Sequence, residues 1–302
     1  MVVVLAFIAN ILVAIAKTAA AALTGSASLV AEASHSWADA GNEVFLLVAD
    51  KRSARQTDDE HPLGYGREAY VWSLLAAVGV FTIGAVISVG NGVLELLNPE
   101  PASNFGIAYA VLGVSAVLEG ASLLQSLVQA RRGATKVERE PLDYVVNGSD
   151  ATLRGVVAED SAAIVGLVIA FAGILLHQVT GDPAYDSIGS ILIGLLLAVV
   201  AIILINQNRR YLVGLNPPAQ YRLGAGRDLL SIPAVARVTY LHLEFVGPGQ
   251  LYLVAAVDLT GNDTEEHVAV QLRRIERMIE QNERIQQAVL TLSVDDEPSL
   301  VF

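Results

Sequence analysis

The chain has 302 residues, of which 53% are hydrophobic and only 17% charged, and its 19 basic and 31 acidic side chains give a net charge of -12. A soluble domain carries about a quarter charged residues, so this balance points to a membrane protein, while an acidic surface excludes nucleic acid as a partner. With no cysteine in the sequence, disulfides, thiolate metal sites and cysteine nucleophiles are excluded as well.

Six hydrophobic runs, near 2–23, 26–49, 69–97, 105–130, 155–177 and 186–206, each reach the roughly 20 residues that a helix needs to cross the bilayer core. The first lacks a basic n-region and is too long for a signal-peptide core, so no cleavable leader is expected. The links between runs alternate in charge. Lys51, Arg52, Arg55 and Arg67 lie between the second and third, Arg131, Arg132, Lys136 and Arg139 follow the fourth, and Arg209 and Arg210 follow the sixth. The other three links contain no Lys or Arg. The positive-inside rule therefore places the basic loops and both termini in the cytoplasm and suggests the plasma (inner) membrane.

Within the second run, His35 and Asp39 stand one helical turn apart on a single face, in a stripe continued by Glu32 and Glu43. Charge at bilayer depth costs several kcal/mol unless partnered, and such residues mark ion or proton pathways; the plain alternative is a hydrogen-bonded pair between packed helices. The fifth run adds Glu159 and Asp160, which point about 100° apart on a helix and so do not both reach one ion. His35, Asp39 and Asp160 together supply one nitrogen and two carboxylates, a donor set suited to zinc once a water or a fourth side chain completes a tetrahedron. Glu159 and Glu119 are then free to pair with Lys17 of the first run, with Glu159 an additional candidate for metal or proton passage. Asn91 and Gln125 read as hydrogen-bonding contacts between helices.

After Arg210 the composition becomes that of a small soluble domain. A helix is expected near 218–231, ended by Pro233. Leu241, Leu243 and Phe245 alternate with His242 and Glu244 as a half-buried strand, Gly247-Pro248-Gly249 breaks the chain, and Leu251 to Leu259 form a second strand. Val268, Leu272, Ile275 and Ile279 share one face of a helix, and 288–294 closes as a strand. The fold class is thus membrane all-α, with six transmembrane helices over 1–212, followed by a small cytoplasmic α+β domain of order αββαβ over 213–302. A domain so short is marginal alone, and dimerisation is a common remedy.

The run from Thr24-Gly25-Ser26 through Glu32-Ala33-Ser34-His35-Ser36-Trp37-Ala38-Asp39 resembles the second-helix signature of the cation diffusion facilitator family. Asp58-Asp59-Glu60-His61-Pro62-Leu63-Gly64-Tyr65-Gly66-Arg67 is similar to that family's loop before the third helix, and Glu159-Asp160-Ser161 to the branch that includes zinc transporter nine. The resemblance implies a homodimeric exporter in the lipid bilayer, exchanging a divalent metal for protons. Zn2+ is the implied ion, with Mn2+, Co2+, Fe2+ and Cd2+ as the other candidates. It places His35, Asp39 and Asp160 at three of the family's four metal positions, while the fourth falls on Val156, which cannot bind metal.

In the loop, Asp58 and His61 match ligand positions, but Tyr65 stands where many relatives carry histidine; read alone, Asp58 and His61 are loop residues bracing the third helix. In the tail His267 and Asp295-Asp296-Glu297 remain as candidates, Tyr240 and Ala256 fall where ligands are expected, and His242 reads as exposed. Two other readings compete. An intramembrane hydrolase would want a His-Glu-x-x-His helix, which is absent from the sequence. A regulatory membrane protein that has lost transport is favoured by Val156.

Overall fold

The computed structural model describes residues 2–99, 102–136 and 139–302. Helices occupy every apolar run: α1 (Val2–Thr24), α2 (Ala27–Ser53), α3 (Glu68–Ala76), α4 (Thr82–Leu97), α5 (Phe105–Lys136), the short α6 (Pro141–Asn147), α7 (Ala151–Thr180) and α8 (Ala184–Val213). A π-helical turn at Ala77–Phe81 joins α3 to α4, so the third run is one helix with a local change of hydrogen-bond register. Gly25 takes a left-handed backbone (φ 70°) between α1 and α2, the conformation that lets one helix stop and the next begin within two residues.

Among the described residues, four helical segments are long and apolar enough to cross a membrane: Glu68–Leu97, Phe105–Thr135, Ala151–Thr180 and Ala184–Val213. The apolar stretch described in α1, Asn10–Thr24, is shorter, and α2 carries Glu32, Asp39, Glu43 and Asp50 along its length.

The chain forms two compact units. The first comprises Met1–Ala49 and Val71–Asn208. Its interior is built largely from small side chains, with Ala20, Ala31, Ala108 and Ala170 packing around Leu29, Leu167, Ile174 and Ile193. Small residues let apolar helices approach closely where no hydrophobic effect drives them together. Val86, Val117, Val168 and Ile202 point outward and are exposed, an apolar surface of the kind that lipid solvates.

The second unit comprises Asp50–Tyr70 and Arg209–Phe302. After α9 (Ala219–Leu230) come β1 (Val235–Gly247), β2 (Gln250–Leu259), α10 (Glu265–Ile279) and β3 (Ile285–Leu292). The sheet order is β1-β2-β3, with β1 antiparallel to β2 through the Pro248-Gly249 turn, and β2 parallel to β3 across α10. Alternate residues Leu241, Leu243, Leu253, Ala255 and Val257 face a core completed by Leu229, Ile275 and Leu290.

The loop ahead of α3 belongs to this same unit. A Cβ at Gly66 would lie 2.6 Å from the Val246 carbonyl oxygen and 2.7 Å from the Gly247 Cα, so only glycine lets loop and hairpin backbones meet here. Arg67 pairs with Glu244 beside this contact, and Tyr70 stacks on Tyr211, whose ring meets Phe245 edge-on.

Candidate functional site

The polar residues of α2 divide among different partners, and the division follows from where each lies along the helix. Glu32, fully buried, accepts from Lys17 Nζ of α1 at 2.8 Å. Glu43 accepts from Asn10 Nδ2 at 3.0 Å. Between them sit His35 and Asp39, 1% and 8% exposed. His35 Nε2 is 3.7 Å from Asp39 Oδ2, beyond hydrogen-bond length, and among the described residues neither imidazole nitrogen nor Asp39 Oδ1 has a hydrogen-bond partner. A buried polar group left unpaired costs about 1–3 kcal/mol. These three atoms, with Glu32 Oε1, Ser36 Oγ and Glu43 Oε2 also unpaired on the same helix, are therefore an unusual expense.

The carboxylates of α7 divide as their 100° offset requires. Glu159 turns towards α2, where Asn42 Nδ2 donates to Oε2 at 2.5 Å and Asp39 stands within hydrogen-bonding reach. Asp160 turns towards α5, accepting from Ser122 Oγ at 3.0 and 3.1 Å and from Ser126 Oγ at 3.2 Å. Glu119 of α5 pairs with Lys17 at 2.7 Å, as its sequence position suggests. Glu159 does not; Asn42 is its partner instead.

Asp39, Glu119, Glu159 and Asp160 line one cavity of about 40 Å³, together with Ser36 and Ser122. A single water needs about 10–15 Å³ measured this way, so the space admits an ion with a water or two. His35 borders Asp39 but does not line the cavity. Among the described residues, no three His, Asp or Glu side chains converge closely enough to hold an ion as they stand. The proposed trio is thus brought to one neighbourhood without being closed around a point. Asn42, Ser122 and Ser126 do not stand out in the sequence, although Asn42 lies three residues beyond Asp39 and the two serines are spaced i, i+4 on α5.

The loop forms a different arrangement. Asp58 accepts from the Tyr65 hydroxyl at 2.6 Å and from the His61 backbone N–H at 2.8 Å. The Tyr65 hydroxyl holds the Asp58 carboxyl below the usual carboxylate range, helped by the His61 backbone N–H. The same bond raises Tyr65. The His61 ring stacks on Tyr65 with centroids 4.1 Å apart, and the Arg55 guanidinium covers that ring at 4.1 Å. Asp58 and His61 are therefore engaged in a hydrogen-bonded turn.

In the tail, His267 is exposed and lies 3.4 Å from Thr264 Oγ1. Glu297 accepts from Thr239, Asp295 and Asp296 are exposed, and Ala256 is buried in the sheet. His242 is half-buried beside Glu244 at 3.8 Å.

Apolar helices enclosing a histidine and several carboxylates, followed by a small α+β tail, are the arrangement expected of a membrane protein with a polar interior. The chain belongs to the cation efflux family: residues 3–213 match the cation efflux transmembrane domain. Members of that family are transporters and not enzymes. The chain is 38% identical over 233 residues to metal tolerance protein C4 of Arabidopsis thaliana, covering 77% of this chain and 51% of that protein. It is 36% identical over 241 residues to the mitochondrial proton-coupled zinc antiporter SLC30A9 of Homo sapiens, covering 79% of this chain and 42% of that protein. It thus spans about half the length of these relatives. An uncharacterized transporter of Methanocaldococcus jannaschii is 21% identical over 295 residues, with 97% of each chain covered.

Proposed function

We propose that this chain carries a divalent metal ion, Zn2+ first among the candidates, across a membrane in exchange for protons. The observation that carries this reading is the group of buried, unpartnered polar atoms on His35 and Asp39, set beside a cavity lined by Asp39, Glu159 and Asp160. A neutral imidazole and carboxylates form a donor set for zinc and its neighbours Mn2+, Co2+, Fe2+ and Cd2+. Ligands must shed protons to take up a metal, which couples the two ions through the same atoms. The relatives named for metal tolerance and for proton-coupled zinc antiport support this choice.

His35, Asp39 and Asp160 are the ligands of this proposal, with Glu159 the additional oxygen donor where Val156 offers none. Small rotations of α2 against α7 close them around the ion. Asp58 and His61 stay in their turn and bind no metal.

All six long helical stretches cross the bilayer in this reading: α1 is apolar along most of its length, and Glu32, Asp39 and Glu43 of α2 lie buried or half-buried among the helices rather than on lipid. Residues 1–212 form the transport domain and 213–302 the cytoplasmic domain through which two copies pair. Both termini lie on the cytoplasmic side, from which metal is exported. The plasma (inner) membrane suits that direction, and the mitochondrial relatives name a second membrane to compare.

A second reading, a regulatory membrane protein of the same fold that no longer transports, is favoured by Val156 together with the ligands' open arrangement among the described residues. Purified protein in liposomes, loaded with zinc and pH indicators, separates the two. Zinc entry with opposed proton movement, lost in Asp39→Ala, supports antiport. Zinc-independent dye signals in wild type overturn it.

A further inference from the structure

Lys17 is the least expected side chain of the first unit. It is fully buried in α1 and its single ammonium bridges two carboxylates, Glu32 Oε2 at 2.8 Å and Glu119 Oε1 at 2.7 Å. Those two acids differ. Glu32 is sealed: it has no exposed surface, and its Oε1 occupies the space that a side chain at position 166 would fill, since a Cβ on Gly166 would lie 2.5 Å away. Glu119 is open on one side. It lines the cavity shared with Asp39, Glu159 and Asp160; among the described residues its Oε2, like Glu32 Oε1, has no hydrogen-bond partner. One end of the bridge is therefore an anchor, and the other faces the space assigned to the ion.

We propose that Lys17 is a tethered cation that holds Glu119 at the cavity wall, and that an entering divalent metal takes Glu119 from it as a further oxygen ligand. This rests on the transport reading given above. The exchange is chemically even-handed. Glu119 trades an ammonium hydrogen bond for a metal–oxygen bond, while Lys17 stays charged and stays paired with Glu32. The ammonium thus competes with the metal for one carboxylate, and the measured affinity is the intrinsic affinity reduced by the fraction of Glu119 still held. It also accounts for an otherwise costly arrangement, since a buried ion pair is seldom more stabilising than a well-packed apolar substitute. Glu119 is then an oxygen ligand beyond Glu159, the donor that stands in for Val156.

The test uses the full chain in nanodiscs, with zinc chloride titrated by calorimetry and folding checked by gel filtration and helicity. Glu119→Gln keeps the Lys17–Glu32 pair and is expected to weaken zinc binding roughly 10–100-fold, the range seen when groups supporting a metal site are removed. Unchanged affinity overturns the proposal. Lys17→Met combined with Glu32→Gln removes one charge of each sign, so the net charge is unchanged while Glu119 is released. Zinc binding is expected to tighten about threefold or more, and that gain should vanish when Glu119→Gln is added. A folded double variant with no gain, or one whose gain survives Glu119→Gln, overturns the tether. Should the double variant not fold, the Glu119→Gln titration alone decides whether the proposal stands. Asp39→Asn and Asp160→Asn separate this from the underlying reading. If both bind zinc normally, the transport site itself is wrong. If both lose zinc while Glu119→Gln does not, the site stands and the role of Lys17 and Glu119 falls.

Discussion

Asn42 donates to Glu159 at 2.5 Å, and this bond fixes which of the two adjacent acids on α7 faces α2. Asp160, the residue matched to a ligand position by sequence, turns instead to the hydroxyls of Ser122 and Ser126. Glu159 is thus already seated against Asp39, whereas Asp160 has two serine bonds to exchange before it can close on an ion beside His35.

The two acids should therefore fail differently when changed. Asp160→Ala removes a proposed ligand, and zinc uptake in liposomes should fall by about 100-fold or more, the upper end of losses at metal sites. Asp39→Ala should do the same. Glu159→Gln retains the Asn42 contact and most of the geometry, so uptake should fall only about tenfold. Equal, near-wild-type uptake in Asp39→Ala and Asp160→Ala would remove the proposed site.

A structural carboxylate serves as the comparison. Asp186, at the start of α8, caps α2 from outside: Oδ2 accepts from the Ala27 backbone N–H at 2.8 Å, and Oδ1 from Ser26 Oγ at 3.0 Å and the Ser28 N–H at 3.2 Å. Asp186→Ala would orphan buried donors at the helix start, at about 1–3 kcal/mol each. A drop of several degrees in the thermal unfolding midpoint in detergent is expected, with zinc affinity of the surviving folded protein within about threefold of wild type. A large loss of affinity at unchanged stability would make Asp186 part of the ion path instead.

These contrasts show where the sequence stops informing. The apolar runs located the helix starts to within about four residues, because hydropathy marks where an apolar helix begins, but α5 and α8 run on past them to Lys136 and Val213, and the short α6 was not legible. The strands and α10 were legible from alternation and from the 3.6-residue stripe at Val268, Leu272, Ile275 and Ile279. The π-turn at Ala77–Phe81 was not, since its register comes from packing and leaves no compositional trace. Within the site, the sequence yields the stripe on α2 but not its division. That Glu32 belongs to Lys17, Glu43 to Asn10 and Glu159 to Asn42 depends on helix rotation, which periodicity cannot set.

The loop offers a prediction about pH. Asp58 titrates below its ordinary value of about 3.9 because the Tyr65 hydroxyl donates to it. A carboxylate lowered in the folded state stabilises the turn above its unfolded value, and that contribution is lost as pH falls through the folded value. Tyr65→Phe removes the donor, so Asp58 should titrate higher, nearer the ordinary value, and the part of the turn's stability that is lost on acidification should shrink. Following the Asp58 carboxyl carbon by NMR checks this. No upward movement would mean the Tyr65 bond is not formed in solution.

Gly66 makes a steric prediction. Because a Cβ there would sit 2.6 Å from the Val246 carbonyl oxygen, Gly66→Ala must push the loop off the β1–β2 hairpin. Neither backbone contact atom is a flexible side-chain tip, so the backbone itself has to move. The second unit should lose about 1–3 kcal/mol, as overpacking does elsewhere, and amide exchange should quicken at Val246 and Gly247. Wild-type exchange there would show that loop and hairpin are not in contact.

The last prediction follows from the single nitrogen in the donor set. Zinc accepts one imidazole and a few carboxylate oxygens in a tetrahedron, whereas manganese favours all-oxygen octahedral sites. His35 is buried, one turn from Asp39, and among the described residues neither of its ring nitrogens has a hydrogen-bond partner, which leaves the imidazole available to a metal. His35→Asp replaces that nitrogen with oxygen in an already acidic cavity. Zinc uptake should fall, manganese uptake should hold or rise, and the zinc-to-manganese ratio should drop by about tenfold or more, a difference of about 1.4 kcal/mol in favour of the oxygen-preferring ion. Paired uptake of the two metals by wild type and variant decides the matter. If the variant keeps the wild-type ranking of metals, His35 packs between helices and the ion is bound by oxygen alone.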